Sequence, residues 1–304
     1  MSLLLSVAIV TRHRVESLER TLISLTNQNR QPFEILISDD SHDDKCIAEN
    51  KNLASKFRCR YLKGPGKGLY ANRNFVAKSC KGTHIRTMDD DHTFPDNHIQ
   101  TCFEAIESNP NVIWVIGEYY DVNNSIPANN QWKVDSTGDT SNLPLSIPGQ
   151  MHPRGFSYAP KNMKHYHGIS CGSTIYPKKV IQDNVLYSEA YKFGILYLEY
   201  GARLKSRGYS IRHLSTTYII HHCETNDASI SNAEISKGSS VFSMLMYSFV
   251  YNRSAKNIVL TSYEILKQIM FNNYSIKLVF EAYRNYKRES LTNKESVRYT
   301  SGFH

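Results

Sequence analysis

The chain has 304 residues, of which 40% are hydrophobic and 21% charged, and a net charge of +8. These are the proportions of a soluble globular protein long enough to bury a substantial core, and no run of about 18 apolar residues is present to span a membrane. The basic balance suits anionic partners such as nucleotides, acidic lipid headgroups or nucleic acid. Residues 231–304 carry much of it, with ten Lys and Arg against five Asp and Glu.

The apolar start Met1–Val10 has no positive residue before it and has Arg12 and Arg14 after it. This predicts a buried first strand rather than a signal sequence. Val15, Leu18, Leu22 and Leu25 follow at helical spacing. Phe33–Ser38 reads as a second buried strand, ending at Asp39-Asp40-Ser41. A polar helix is predicted over Asp44–Lys56, a short strand over Cys59–Leu62, a helix over Leu69–Ser79 and a strand over Thr83–Met88. Continuous apolar strands alternating with helices imply an open, mainly parallel α/β sheet with ligands at the carboxyl ends of its strands. Asp39, Asp40 and Asp89–Asp91 all stand at such ends, so they are expected to share one crevice.

Residues 120–165 are rich in Asn, Pro, Ser, Gly and Asp and read as a functional loop or lid. His167–Pro177 contains a Gly/Ser-rich turn, Leu196–Lys205 a helix and Ser210–His222 a strand. From Val241 onward the pattern is helical. Its stripes are Val241, Phe242, Leu245, Met246 and Phe249; then Val259, Tyr263, Leu266 and Met270; then Ile276, Val279, Tyr283 and Tyr286. The stripes are expected to dock on the main domain and leave the neighbouring basic residues outside, a face suited to an anionic membrane surface.

None of the six cysteines forms a C-x-x-C pair, which gives zinc or redox chemistry little support and suits a reducing compartment. Three adjacent carboxylates, Asp89-Asp90-Asp91, repel one another. They belong either on a solvated turn or where a hard divalent cation such as Mg2+ or Mn2+ neutralises them. Gly66, Gly68 and Ala71 match a dinucleotide fingerprint, which would make the chain a Rossmann-type oxidoreductase. Against that, the preceding strand is short and charged, and two strand–helix units come before it.

Four motifs in order are more specific than any one of them. Ser6–Arg14, Phe33–Ser41, Gly68-Leu-Tyr-Ala-Asn-Arg-Asn74 and Met88-Asp-Asp-Asp91 together resemble the nucleotide-binding half of family 2 glycosyltransferases. The resemblance implies a single sandwich of the nucleotide-diphospho-sugar transferase type with a mixed, mainly parallel sheet. It assigns residues 1–230 to catalysis, 1–100 as the nucleotide half and 101–230 as the acceptor half, with 231–304 as a helical extension. It implies an inverting enzyme that moves a sugar from a nucleotide-sugar, UDP-linked by family frequency, to a glycan or lipid-linked acceptor in polysaccharide biosynthesis. Nucleic acid is not among its partners. The scattered cysteines and the basic helical tail suggest a cytoplasmic setting, peripheral at the inner face of the membrane.

Residue by residue, the resemblance puts Thr11, Arg12, Asp39, Asp40, Arg73, Asp89 and Asp90 beside the nucleotide, with Asp39 reading the base edge. Asp91 is the metal ligand, with Asp89 and the pair His221-His222 as further candidates for Mn2+ or Mg2+. Gly172 and Ser173 look like the acceptor-side turn. The family's Glu-Asp pair falls on Leu196-Tyr197, so the catalytic base is Glu199, Glu189 or a residue without a counterpart in the motif. A silent nucleotide- or sugar-binding module is the other alternative that this missing pair leaves open.

Overall fold

The computed structural model describes residues 2–122, 148–158, 166–170, 172–223 and 233–298. Strand β1 (Leu5–Thr11) is buried along its whole length. It lies between β2 (Glu34–Asp39) and β4 (His84–Asp89), parallel to both, and β2 carries β3 (Arg60–Lys63) at one edge. The eight strands run in the order β3-β2-β1-β4-β9-β6-β10-β5. Here β5 is His92–Thr93, β6 Ile113–Val122, β9 Thr174–Pro177 and β10 Ile211–Cys223. β9 is antiparallel to both β4 and β6, while β10 returns parallel to β6. β7 (Gln150–Met151) and β8 (Ser157–Tyr158) form a separate small hairpin.

The side-chain period of two divides β1 between two cores. Leu5, Val7 and Ile9 face a core shared with α1 (Val15–Thr26), α2 (Asp44–Lys56) and α4 (His98–Ser108). Ala8 and Val10 face α3 (Leu69–Ser79) on the opposite side. Beyond the short α5 (Lys178–Gln182), α6 (Leu196–Ser206) joins a third core with α7 (Ala233–Met246). A π-helical turn at Tyr247–Tyr251 leads to α8 (Ala255–Phe271) and α9 (Ile276–Arg298). No helix among the described residues is long and apolar enough to cross a membrane.

The chain leaves β1 toward β2 and β3, then returns to the other side of β1 as β4. The carboxyl ends of β1, β2 and β4 therefore meet at a topological switch point, where such sheets bind ligands. β3 is an edge strand, so the glycine turn after it is not the central first turn of a Rossmann unit, and the oxidoreductase reading loses its structural basis. Gly68 instead starts α3 with φ +104°, and a Cβ there would lie 2.6 Å from Lys192 Cα. Close approach of the backbone at Lys192 explains that glycine.

β10 covers the strand expected over Ser210–His222 and runs one residue further, to Cys223. Two of the three C-terminal stripes need correction. The α8 stripe does not dock: Val259, Tyr263, Leu266 and Met270 are all exposed, while Thr261 and Glu264 are the buried residues of that helix. The α9 stripe splits: Val279 and Tyr286 pack against the core, while Ile276 and Tyr283 are exposed. The α7 stripe does pack inward, with Val241, Phe242, Leu245 and Met246 buried. Most of residues 120–165, including the expected lid, lies outside the described residues.

Candidate active site

The acidic triplet begins on the last residue of β4, and its carboxylates are held by two arginines and a threonine. Asp89 pairs with Arg73, which α3 buries beneath it. Asp90 accepts from Thr11 Oγ1 at 2.6 Å, which ties the end of β1 to the turn. Arg14, just before α1, bridges Asp90 at 3.2 Å and Asp91 at 2.8 Å. Burial pushes the Asp90 carboxyl up to about 8, reinforced by Asp91 and Asp89 and opposed by Arg14 and Thr11.

Asp91, His92 and His221 form the one group among the described residues whose ligand atoms could hold a metal ion, all within 4.8 Å of one another. His92 starts β5 and His221 lies opposite it on β10, so the antiparallel register brings the two rings together. His221 Nε2 is 3.3 Å from Asp91 Oδ2, and its Nδ1 is 3.5 Å from Glu118 Oε2. Glu118 on β6 is buried, accepts from Ser170 Oγ and lies 3.0 Å from Ser173 Oγ. A carboxylate behind the imidazole fixes its orientation, a common support for a metal-ligating histidine. Burial disfavours the imidazolium of His221, but its hydrogen bonds to Asp91 and Glu118 outweigh that and raise it to about 11.

The donor set fits a divalent cation. Asp91 Oδ1 and both ring nitrogens of His92 are buried without a hydrogen-bond partner, and Asp91 Oδ1 faces His92 Nε2 at 3.3 Å. Leaving such atoms unsatisfied is costly, and a shared cation would satisfy both residues. Imidazole with carboxylate favours Mn2+ over Mg2+.

His222, expected beside His221 as a ligand, points away. Adjacent strand residues face opposite sides, and its ring binds Asp121 Oδ2 at 3.0 Å and Thr93 Oγ1 at 2.8 Å. Gly172 and Ser173 are buried below the group rather than open to an acceptor. A Cβ on Gly172 would lie 2.0 Å from His92 Cε1, so glycine is what lets that ring in.

Asp39 sits 1% exposed, accepting from the Ser41 amide at 2.8 Å, Asn50 Nδ2 at 2.9 Å and the Tyr61 hydroxyl at 3.0 Å. Asp40 is the more open of the pair. It accepts from the Gly66 amide at 2.9 Å, and burial outweighs that bond in raising its carboxyl. Arg12 is exposed at the same strand end.

The two base candidates separate. Glu199 is fully buried, with Oε1 receiving Arg203 Nε at 3.0 Å, Arg203 Nη2 at 2.8 Å and the Tyr251 hydroxyl at 2.6 Å. Burial raises its carboxyl despite Arg203. It holds α6 against the C-terminal helices and is not among the residues gathered at the triplet. Glu189 is exposed and accepts from Asn74 Nδ2 at 2.9 Å, one residue from Arg73.

Sequence reasoning missed His92 and Glu118. The signal for His92 was its place directly after the triplet. For Glu118 it was a lone carboxylate in the apolar run Val112–Tyr120.

The sequence profile of glycosyl transferase family 2 matches residues 6–185. A Haemophilus influenzae protein described as an uncharacterized glycosyltransferase is 26% identical over 113 residues, 37% of this chain. The match spans 37% of that relative. Among solved structures, S. aureus TarS 1–349 in complex with UDP-GlcNAc superposes with TM-score 0.60 at 14% identity, covering 93% of this chain and 78% of TarS 1–349. GalNAc-T7 with UDP, GalNAc and Mn2+ gives 0.64 at 13% identity, covering 93% of this chain and 55% of the other. At such identities the likeness establishes the fold, that of the GT-A nucleotide-sugar transferases.

Proposed function

This chain belongs to glycosyl transferase family 2, and from that membership we propose a divalent-cation-dependent, inverting transfer from a UDP-sugar to a hydroxyl of a glycan or lipid-linked acceptor, in polysaccharide biosynthesis. The observation that carries the reading is the group Asp91–His92–His221 at the switch point, with unsatisfied buried donor atoms facing one another. UDP is supported by the similar structures, TarS 1–349 in complex with UDP or UDP-GlcNAc and GalNAc-T7 with UDP, GalNAc and Mn2+.

Asp91, His92 and His221 would hold the cation, whose chemistry here is to offset the charge that develops on a departing nucleoside diphosphate. Arg14 and Arg73 hold the triplet in place and neutralise two of its charges. Asp40 and Arg12 flank the base and ribose side, while Asp39 supports that wall from beneath. The acceptor hydroxyl attacks the anomeric carbon opposite the leaving group, which inverts the centre, and a carboxylate takes its proton. Glu189 is assigned that role because it is open to solvent and tethered to Asn74 next to Arg73. Residues 1–230 are read as the catalytic unit and 231–304 as its helical extension, working at an anionic membrane surface.

A thermal-shift panel of nucleotide sugars with and without Mn2+, followed by donor hydrolysis with the best binder, tests the reading. A shift confined to UDP-sugars and larger with Mn2+ is expected. No shift with any nucleotide sugar would refute it.

A further inference from the structure

α8 is amphipathic in the reverse sense. Its polar side faces the protein: Thr261 Oγ1 donates to the Pro153 carbonyl at 2.7 Å and receives the Ser248 hydroxyl at 2.7 Å. Glu264 pairs with Arg154 at 2.6 Å. Its apolar side faces outward, with Val259, Tyr263, Leu266 and Met270 between 58% and 69% exposed. At 100° per residue these four fall within a stripe about 60° wide, and Lys256 and Lys267 lie along one border of it. Glu264, the helix's single acidic residue, is turned inward. Beyond Phe271, also exposed, α9 presents Ile276 and Phe280 interleaved with Lys277, Arg284 and Lys287, with Glu281 exposed among them. Four large apolar side chains exposed along one side of a helix suit a docking face.

We infer that the outward face of α8, continued by the start of α9, is an interfacial anchor. It seats its apolar stripe among the acyl chains of an anionic bilayer, with the lysines at headgroup level. Charge selects this occupant: Lys256 and Lys267 border the stripe on one side, and no acid on α8 faces outward. Neither helix can span, so the helices lie in the interface plane. The inference deepens the membrane setting proposed above by assigning the attachment to apolar insertion of a particular face, and it does not depend on the catalytic reading.

The test uses the full chain and vesicles of phosphatidylcholine, alone or mixed with phosphatidylglycerol. Co-sedimentation with the mixed vesicles and not with phosphatidylcholine alone is expected. Leu266→Ser/Met270→Ser should lower the bound fraction about tenfold or more. Lys256→Gln/Lys267→Gln should also lower it by more than about tenfold, and salt should weaken it further. Lys256, Leu266 and Met270 are exposed and Lys267 is half-buried beside them, so thermal unfolding should change little. In Leu266→Trp the emission should shift to the blue on adding mixed vesicles. An unshifted emission maximum, or undiminished binding by the serine variant, would overturn the inference. A dimer in solution that Leu266→Ser/Met270→Ser dissociates, without vesicle binding, would overturn it in favour of a second copy of the chain. UDP titration is measured separately: vesicle binding without UDP binding sinks the catalytic reading alone, and the converse sinks the anchor alone.

Discussion

The amide of His222 donates to the carbonyl of Asp91 at 2.9 Å. This bond fixes the register of β10 against the turn after β4, and register decides which of two adjacent histidines faces the acidic group. His221 turns toward Asp91, and His222 turns to Asp121 and Thr93. His221→Ala should therefore weaken Mn2+ binding by about 100-fold, whereas His222→Ala should cost about 10-fold or less, through orientation alone. A Mn2+ titration read by electron paramagnetic resonance compares the two. Equal losses would mean that the register does not select the ligand.

Asp39 and Asp40 should divide two roles. Asp39 is buried and saturated by three donors, so Asp39→Ala should lower stability by about 1–3 kcal/mol and weaken UDP binding only as the pocket wall loosens. Asp40→Ala should weaken UDP binding with little change in melting temperature. Urea unfolding and UDP calorimetry on both variants check this. An Asp39 variant that unfolds like wild type yet no longer binds UDP would return the base contact to Asp39.

Glu199 and Glu189 should separate in the same way. Glu199→Ala breaks a buried ion pair with Arg203, a loss on the order of 3 kcal/mol, softened because Arg203 also pairs with Glu289 at 2.9 Å. Glu189→Gln should leave folding intact and lower turnover by about 10²-fold or more, with donor affinity unchanged. Full turnover in Glu189→Gln would remove it as the base.

The Arg154–Glu264 pair that fastens α8 should respond to acid. Burial disfavours the Glu264 carboxylate, but Arg154 and Gln268 overcome this and hold its carboxyl below the ordinary glutamate range. A depressed folded value means that the pair contributes stability above the unfolded value, about 4.3, and loses it as pH falls through the folded one. The melting temperatures of wild type and Glu264→Gln should differ at pH 7 and converge toward pH 3. A difference that does not change with pH would contradict the assignment.

Periodicity made the nucleotide half legible. Asp44–Lys56 and Leu69–Ser79 carry the bounds read from the sequence, because each is framed by a polar cap or glycine turn and a clear change of period. That the ends of β1, β2 and β4, with Asp39 and Asp89, lie side by side followed from the strand order. Histidine choice did not, because neighbouring residues on one strand differ only in register, which long-range pairing sets. Glu118 reached the site by the same long-range route. α8 failed for another reason: a stripe at helical spacing says that a helix has two faces, not which one goes inward. Hydrogen bonds from Thr261 and the ion pair of Glu264 turned the polar face in.

The most direct test of the central claim is calorimetry of UDP binding in the presence and absence of Mn2+, with wild type and Asp91→Asn. The account predicts Mn2+-enhanced binding by wild type, and loss of that enhancement in Asp91→Asn with the fold retained. UDP binding that is indifferent to Mn2+ in wild type, or an enhancement that survives in Asp91→Asn, would contradict a cation held by Asp91, His92 and His221.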